Sequence, residues 1–455
     1  MARRLSGRPG EPLDTRELGL EKLSWQLLFG GLAVLVLSRL LVFGTFQLPE
    51  FDGFFEIIGL SPNNASSFAS LAILYLLSRP SASHRDNVAI LALLLEVGYL
   101  VQLPAKWDLF GRLLVFGGGI GVAGLIGLVH LSLFGPMPHG RRRARMYLRM
   151  GTILALYPVL SGAMIGSLSY LTPLVHDAYG YNVEGAIGFL PAFEVAHWQV
   201  THRGWDLFLH FIYSRLLIWV LLAFALNQIY HRRCYSDLFL AFALSGVVGL
   251  VFCYSLPMVG LYAFIGMPPW PFEPIPSSIP LELVPIPPEF PRTCIPSMHT
   301  CWILIAYFVV APISRAWRWI YFGLVVTTLI SALGPFVGHY VLDLVAAFPF
   351  AVSWQAFSAN KTPAMRSVRW PIFLTGQALT LGYCFSIRLV PRFWMAHPYL
   401  FWTVSLILVV TSLIVERHIS RRAMWPQVSD SERDVAQTES SKTLPSSESP
   451  ATRSV

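Results

Sequence analysis

An all-α, polytopic transmembrane bundle is the fold class this sequence predicts, and three observations predict it. Of 455 residues, 55% are hydrophobic and only 13% are charged, too few charges to cover a soluble surface of that size. The apolar residues gather in long runs, many close to the ~20 residues that a helix needs to cross a bilayer. Arginines punctuate the connections between runs, where topology signals sit.

Residues 1–24 are polar and basic, and apolar runs follow near 25–47, 65–78, 88–103 and 110–134. A basic cluster, Arg141, Arg142, Arg143, Arg145 and Arg149, precedes a run near 150–171. Further runs fall near 205–226, 238–264, 299–313, 319–334, 340–357, 371–388 and 398–415, for about twelve spans in all. The first run is succeeded by many others, so it reads as a signal anchor and not as a cleaved signal peptide.

With the N-terminus placed in the cytoplasm and the spans alternating, the basic residues concentrate on the cytoplasmic side. Arg79, Arg85, the 141–149 cluster, Arg232, Arg233, Arg315, Arg318, Lys361, Arg366 and Arg369 all fall there. So does the C-terminus, with Arg417, Arg421 and Arg422. Two long segments, about 172–204 and the proline-rich 265–298, fall on the opposite side. Repeated proline keeps the second out of helix. From about residue 424 the chain is rich in Ser, Glu and Thr and is expected to be disordered.

The net charge of +8, carried in short loops between apolar runs, suits anionic lipid headgroups and not nucleic acid. Cys234, Cys253, Cys294, Cys301 and Cys384 are scattered, which implies neither a zinc site nor a disulfide framework. Gly119, Gly121 and Gly124 form a GxGxxG pattern inside an apolar run. A nucleotide fingerprint needs a preceding strand; here the glycines, with the Gly117–Gly121 GxxxG pair, predict close helix packing.

The segment 172–204 carries His176, Asp177, Glu184, Glu194, His197 and His202, with Asp206 and His210 beyond it. The spacings match no metal motif, and a solvated loop is expected, with Asp206 and His210 a structural pair one turn apart. Arg39 and Glu96 lie inside apolar runs, a costly place for charge.

The chemistry points to residues 294–347. Pro296-Ser297-Met298-His299 opens one predicted helix, and Gly338-His339-Tyr340 opens another two spans later. The charge alternation puts both histidines on the non-cytoplasmic face. His339 and Asp343 are four residues apart, so they share a helix face. An Asp there accepts one ring N–H and fixes the tautomer, which frees the other nitrogen to attack. A second histidine can hand a proton to the leaving oxygen.

These residues resemble the phosphatidic-acid-phosphatase type 2 superfamily. The closer resemblance is to its branch of fungal inositol phosphorylceramide synthases, enzymes of sphingolipid synthesis, and bacterial inositolphosphotransferase-like proteins. The signature, PSMH at Pro296–His299 followed by GHYxxD at Gly338–Asp343, lies within roughly residues 200–357. Pro268-Pro269-Trp270 is similar to an element of the fungal enzymes.

The resemblance implies a six-helix catalytic core with its site on the lumenal or periplasmic face, and chemistry through a phosphohistidine without metal or cofactor. By position, His339 would be the nucleophile, Asp343 its orienter and His299 the acid–base. Ser297 would bind phosphate, with Tyr340 also at the substrate. The phosphatase branch has a Lys and Arg-Pro motif upstream, which has no equivalent here, and an Arg where this chain has Leu333. Arg292, seven residues before His299, is the nearest candidate to neutralise phosphate. Ala347 stands where the family commonly has glycine.

The chain thus divides into a cytoplasmic segment 1–24, a transmembrane region 25–200 of unassigned role, a catalytic membrane domain 201–357, C-terminal helices 358–423 and a tail 424–455. The expected function is phosphoryl transfer from a membrane lipid phosphoester to a small alcohol such as inositol. The alternatives are a lipid or polyprenyl phosphate phosphatase, or, from another class, a lipid-binding protein or transporter on an inactive bundle.

Overall fold

The computed structural model describes residues 15–43, 62–102, 111–112, 115–230, 236–266, 295–335, 337–359 and 367–442. Between these it describes 271, 276, 278–288, 290, 292 and 365. Pro268-Pro269-Trp270, Cys234, Cys294, Arg232, Arg233, the side chain of Arg39 and the chain ends 1–14 and 443–455 lie outside the described residues.

The first half forms α1 (Thr15–Phe43), α2 (Pro62–Leu77), α3 (Ala82–Gln102), α4 (Gly118–Phe134) and α5 (Pro138–Leu171). The basic cluster expected in a loop is instead the beginning of α5. Its arginines fasten neighbours: Arg142 and Arg149 pair with Glu21 of α1 at 2.7 and 3.4 Å, and Arg149 lies over the Trp25 ring.

The glycines of α4 are packing residues, as their setting in an apolar run predicts. A Cβ on Gly119 would stand 2.6 Å from Glu96 Cα of α3, one on Gly124 2.9 Å from Ala72 Cα of α2, and one on Gly121 would collide with the Phe68 carbonyl. Glu96, placed by sequence in an apolar run, caps this helix. Its carboxylate accepts from Gly117 N at 2.8 Å and Ile120 N at 3.0 Å, satisfying amides that a helix start leaves open.

The second half begins with β1 (Leu174–Val175), α6 (Asp177–Gly185) and α7 (Pro191–Thr201), so the segment expected to be a solvated loop is largely helical. It continues with α8 (Arg203–Ser214), α9 (Leu216–Ile229), α10 (Leu238–Ser255), α11 (Leu261–Ile265) and β2 (Val284–Pro285). Then come α12 (Met298–Val310), α13 (Arg315–Ala332), α14 (Val341–Ser358), α15 (Arg369–Leu389), α16 (Pro391–Ala396) and α17 (Pro398–Lys442). The two short strands pair antiparallel, Leu174 with Pro285 and Val175 with Val284, and tie the proline-rich segment to the end of α5. Helix α17 extends to Lys442, past residue 424, from which a disordered tail was expected.

The expected count of about twelve spans is matched only in part. Among the described residues four helices are long and apolar enough to cross a membrane, α10, α14, α15 and the part of α17 to Arg422. A fifth arises if α8 and α9, bent by 53° at their junction, count as one span. Several of the other apolar runs fold as shorter helices: Ala65–Leu77, α4 and α12 have 10–17 residues, at or below the lower end of the usual spanning length. A run of apolar residues does not distinguish a short helix buried in protein from a crossing.

Among the described residues two large clusters of buried side chains hold the bundle. The larger joins α2 and α5 to α9, α10, α12 and α14 through residues such as Leu71, Leu74, Phe224, Phe308 and Phe350. The smaller, with Tyr181, Leu256, Tyr340, Leu342 and Phe401, packs around the start of α14. Where α14 meets α15, Gly376 makes room: a Cβ there would stand 2.7 Å from the Pro349 carbonyl.

Candidate active site

The chain entering α14 is pinned before its reactive residue arrives. Gly338 has φ +64, a left-handed conformation that glycine adopts freely, and a Cβ there would meet Tyr262 N at 2.5 Å. Its carbonyl accepts from Leu261 N at 2.7 Å, and His339 N donates to Ala332 O at 3.0 Å.

His339 itself is buried, 6% exposed, and Asp343 is wholly buried. His339 Nδ1 lies 3.1 Å from Asp343 Oδ2, and Tyr340 N donates to the same oxygen at 2.9 Å. With a carboxylate oxygen as acceptor, the ring donates through Nδ1, and in that tautomer Nε2 keeps its lone pair. That nitrogen is 3.5 Å from Ser297 Oγ.

Ser297 is the cap of α12, as its place before an apolar run favours. Its Oγ accepts from Thr300 N at 3.5 Å and from Thr300 Oγ1 at 3.1 Å. Ser297 N donates to Asp343 O at 3.1 Å, which stitches the start of α12 to the first turn of α14. His299, in the first turn of α12, is half-buried. Its ring stacks on Tyr213 of α8 with centroids 4.4 Å apart and planes at 15°, and it lies within electrostatic range of His339. The structure therefore brings Ser297, His299, His339 and Asp343 into one site, on the starts of two helices.

Two other expected substrate contacts are engaged elsewhere. Arg292 is 1% exposed and spends its guanidinium on backbone carbonyls. Nε donates to Thr172 O at 3.2 Å, Nη1 to Pro287 O at 2.8 Å and to Phe290 O, and Nη2 to Ile286 O at 2.5 Å. It fastens the proline-rich segment, which folds back around it; closeness to His299 in sequence does not carry its charge into the site. Tyr340 is wholly buried, with its hydroxyl 3.3 Å from Asp177 Oδ1, so it braces the helix start from behind.

That bracing uses two carboxylates that sequence reasoning left in a solvated loop. Asp177 and Glu184 of α6 are both wholly buried. Asp177 accepts from Val259 N at 2.9 Å and Gly260 N at 2.8 Å. Glu184 accepts from Val341 N, the first residue of α14, at 2.8 Å, and from Ala192 N at 3.3 Å. Burial pushes Asp177 up to about 7 and Glu184 up to about 8, with the charge of Asp343 adding to both. Their spacing of seven, two helical turns, was the legible signal that both point the same way.

The histidines of the same segment have local partners. Burial, then the charge of Arg388, pushes His176 down to about 4. His197 Nδ1 lies 3.0 Å from Pro271 O, and His202 Nδ1 lies 2.9 Å from Trp198 O. Among the described residues no three His, Cys, Asp or Glu side chains gather as a metal-binding group.

Residues 181–357 match the family model of the PAP2 superfamily. No curated protein and no solved structure matches the chain. The match runs from within α6 to the end of α14 and so contains Ser297, His299, His339, Asp343 and Glu184, while Asp177 lies just before it. It points to a phosphatase-type enzyme acting on phosphoesters, on an all-α chain with several helices able to cross a membrane.

Proposed function

We propose that the chain is a membrane-embedded phosphotransferase acting on a lipid phosphoester, of the inositolphosphotransferase kind, through a phosphohistidine on His339. The observation that carries this reading is the His339 Nδ1–Asp343 bond, which leaves Nε2 unprotonated beside Ser297, within a segment that matches a phosphoesterase superfamily.

In the first step Nε2 attacks phosphorus, the bond from phosphorus to the lipid oxygen breaks, and His299 gives that oxygen a proton. In the second, an alcohol oxygen attacks the phosphohistidine, its proton passes to His299, and the N–P bond breaks to restore Nε2. Asp343 stabilises the charge that grows on the imidazole. Ser297 Oγ, 3.5 Å from Nε2, is placed to touch a phosphoryl oxygen. The scheme uses no metal, and the site faces the lumen or periplasm with both termini in the cytoplasm, the orientation that the arginine distribution favours.

The test is incubation of the purified protein with labelled phospholipids, with and without inositol. A new phosphoester of inositol, formed together with the free lipid alcohol, supports the reading. Free phosphate alone makes the protein a lipid or polyprenyl phosphate phosphatase. No turnover of any phosphoester overturns it in favour of a lipid-binding or transporting bundle.

A further inference from the structure

His339 is held on both flanks, and both holds lead to one helix. Before it, Gly338 O accepts from Leu261 N at 2.7 Å. Leu261 opens α11 directly after Val259 and Gly260, whose amides donate to Asp177 at 2.9 and 2.8 Å. After it, the Tyr340 hydroxyl reaches Asp177 Oδ1 at 3.3 Å, and Val341 N donates to Glu184 Oε2 at 2.8 Å. Asp177 and Glu184 stand two turns apart on α6.

Glu184 sits where two helices start. Its Oε2 takes the first amide of α14, and its Oε1 takes Ala192 N at 3.3 Å. That is the first amide of α7, because Pro191 before it has none. One carboxyl group therefore ties α6 and α7 to the turn that carries the nucleophile. The positive ends of two helix dipoles favour a carboxylate there, while burial and the charge of Asp343 oppose it.

This is a costly way to begin a helix. A neighbouring Ser or Asn, or water, can meet the open amides without burying an acid. A buried carboxyl group loses its hydration when it ionises, and here Asp177 and Glu184 lie close to a third, Asp343, with all three wholly buried. What an acid adds is stiffness, since amide bonds to a carboxylate are shorter and stronger than neutral ones. Stiffness matters most beside a reacting atom, where a misplacement of about 1 Å costs on the order of a hundredfold in rate.

We infer that Asp177 and Glu184 are positioning residues for phosphoryl transfer: they hold the backbone on either side of His339 so that Nε2 is aimed at phosphorus. This rests on the reading of His339 as the phosphoryl carrier and adds what aims it. Both acids act through the start of α14 and not on the substrate.

Glu184 is also titratable. Burial keeps its proton on up to about 8, and above that a further negative charge arrives beside Asp343. The groups that face it are Asp343 from α14 and Tyr383 from α15, neither of them a cation. Helix α16 also packs on α6, and its Arg392 is exposed. The added charge opposes an anionic phosphate, so turnover should fall as pH rises through about 8.

The test uses the full chain in detergent, with turnover counted per folded molecule. Glu184→Ala frees both amides and should lose about ten- to hundredfold in kcat, with KM little changed because the loss falls on the reacting geometry. Asp177→Ala should do the same. Should Glu184→Ala not fold, Glu184→Asp takes its place with the same expectations, since it draws the carboxylate back by one methylene. Glu184→Gln keeps an oxygen for Val341 N and should turn over near normally at neutral pH, without the decline above about 8.

Isotope-labelled histidine nitrogens give a readout that needs no turnover, the His339 signals being identified by their absence in His339→Ala. Glu184→Ala should shift those signals as the Nδ1–H bond to Asp343 changes, and at neutral pH Glu184→Gln should leave them in place. This holds whether or not a phosphoenzyme forms, so a failure of the phosphohistidine reading is distinguishable. Normal kcat per folded molecule in Glu184→Ala, or His339 signals that it leaves unmoved, would reduce the acids to a structural role and overturn the assignment. A decline above about 8 that persists in Glu184→Gln would overturn the part given to its charge.

Discussion

Asp343 Oδ2 stands 3.1 Å from His339 Nδ1 and 2.9 Å from the amide of Tyr340. One oxygen thus orients the imidazole and closes the first turn of the helix that follows it. Asp343→Asn can still offer an oxygen to the Tyr340 amide, so α14 should keep its start. The variant loses the charge that fixes the tautomer. The comparable change in serine proteases costs about 10⁴ in kcat, and a loss of that order is expected, with thermal stability little altered. Near-normal kcat would remove the pairing from the mechanism.

The two histidines should separate by step. His339→Ala should lose both turnover and any acid-labile phosphoenzyme. His299→Ala should lose about 10²–10⁴ in turnover, the usual worth of a general acid, yet still become phosphorylated by a substrate with a good leaving group. Phosphate trapped on His299 would exchange the two roles.

Glu184 sets a pH dependence. Burial holds its carboxyl at about 8 in the folded protein against an ordinary value of 4.5. Between those values the folded state carries a proton that the unfolded state has released, so this contribution to stability is complete at low pH and is lost as pH rises to about 8. Asp177 acts in the same direction up to about 7. Glu184→Gln keeps an oxygen for Val341 N and has nothing to titrate. Its thermal midpoint in detergent should fall less steeply between about pH 5 and 8 than that of the unaltered protein. Equal slopes would mean that the carboxylate is not buried as described.

Gly121 lies against the Phe68 carbonyl. Gly121→Ala should cost about 1–3 kcal/mol of stability, the usual range for overpacking, and should lower the thermal midpoint. Turnover per folded molecule should stay near normal, because the strain falls on the α2–α4 contact. A stable variant with lost activity would contradict a packing role.

Sidedness can be read with single cysteines at Phe189 and Leu283, both exposed, in a background lacking reactive native cysteines. An impermeant thiol reagent should label both from the lumenal or periplasmic side. Labelling only after the cytoplasmic face is opened would invert the topology.

What could be read before the fold was known follows from the range of each interaction. The His339–Asp343 contact depends on one helical turn, so spacing revealed it. The meeting of Ser297 with His339, across 42 residues, was legible because both motifs fall at helix starts assigned to one face. The glycines of α4 were readable from their apolar context. Arg292 was not, because its partners are carbonyls of a segment whose path depends on a two-stranded pairing with residues 174–175. Nor was the burial of Asp177 and Glu184: their spacing of seven aligns them, but nothing local announces that their segment will be buried against the start of α14. The count of crossings is legible only in part for a related reason: hydropathy measures how apolar a helix is, and leaves open whether protein or lipid surrounds it.

The bend between α8 and α9 bears on modularity. Arg215 sits at that bend, two residues after the tyrosine on which His299 stacks, and within electrostatic range of Glu96 and Tyr99 of α3. Helix α2 also packs directly on α9. A chain excised at residue 181, where the superfamily match begins, would strand a buried arginine without its counter-charge and bare the apolar side of α9. The stretch with recognisable ancestry is therefore not a detachable cassette. His299 leans, through one ring and one bend, on a half of the molecule that the match does not reach.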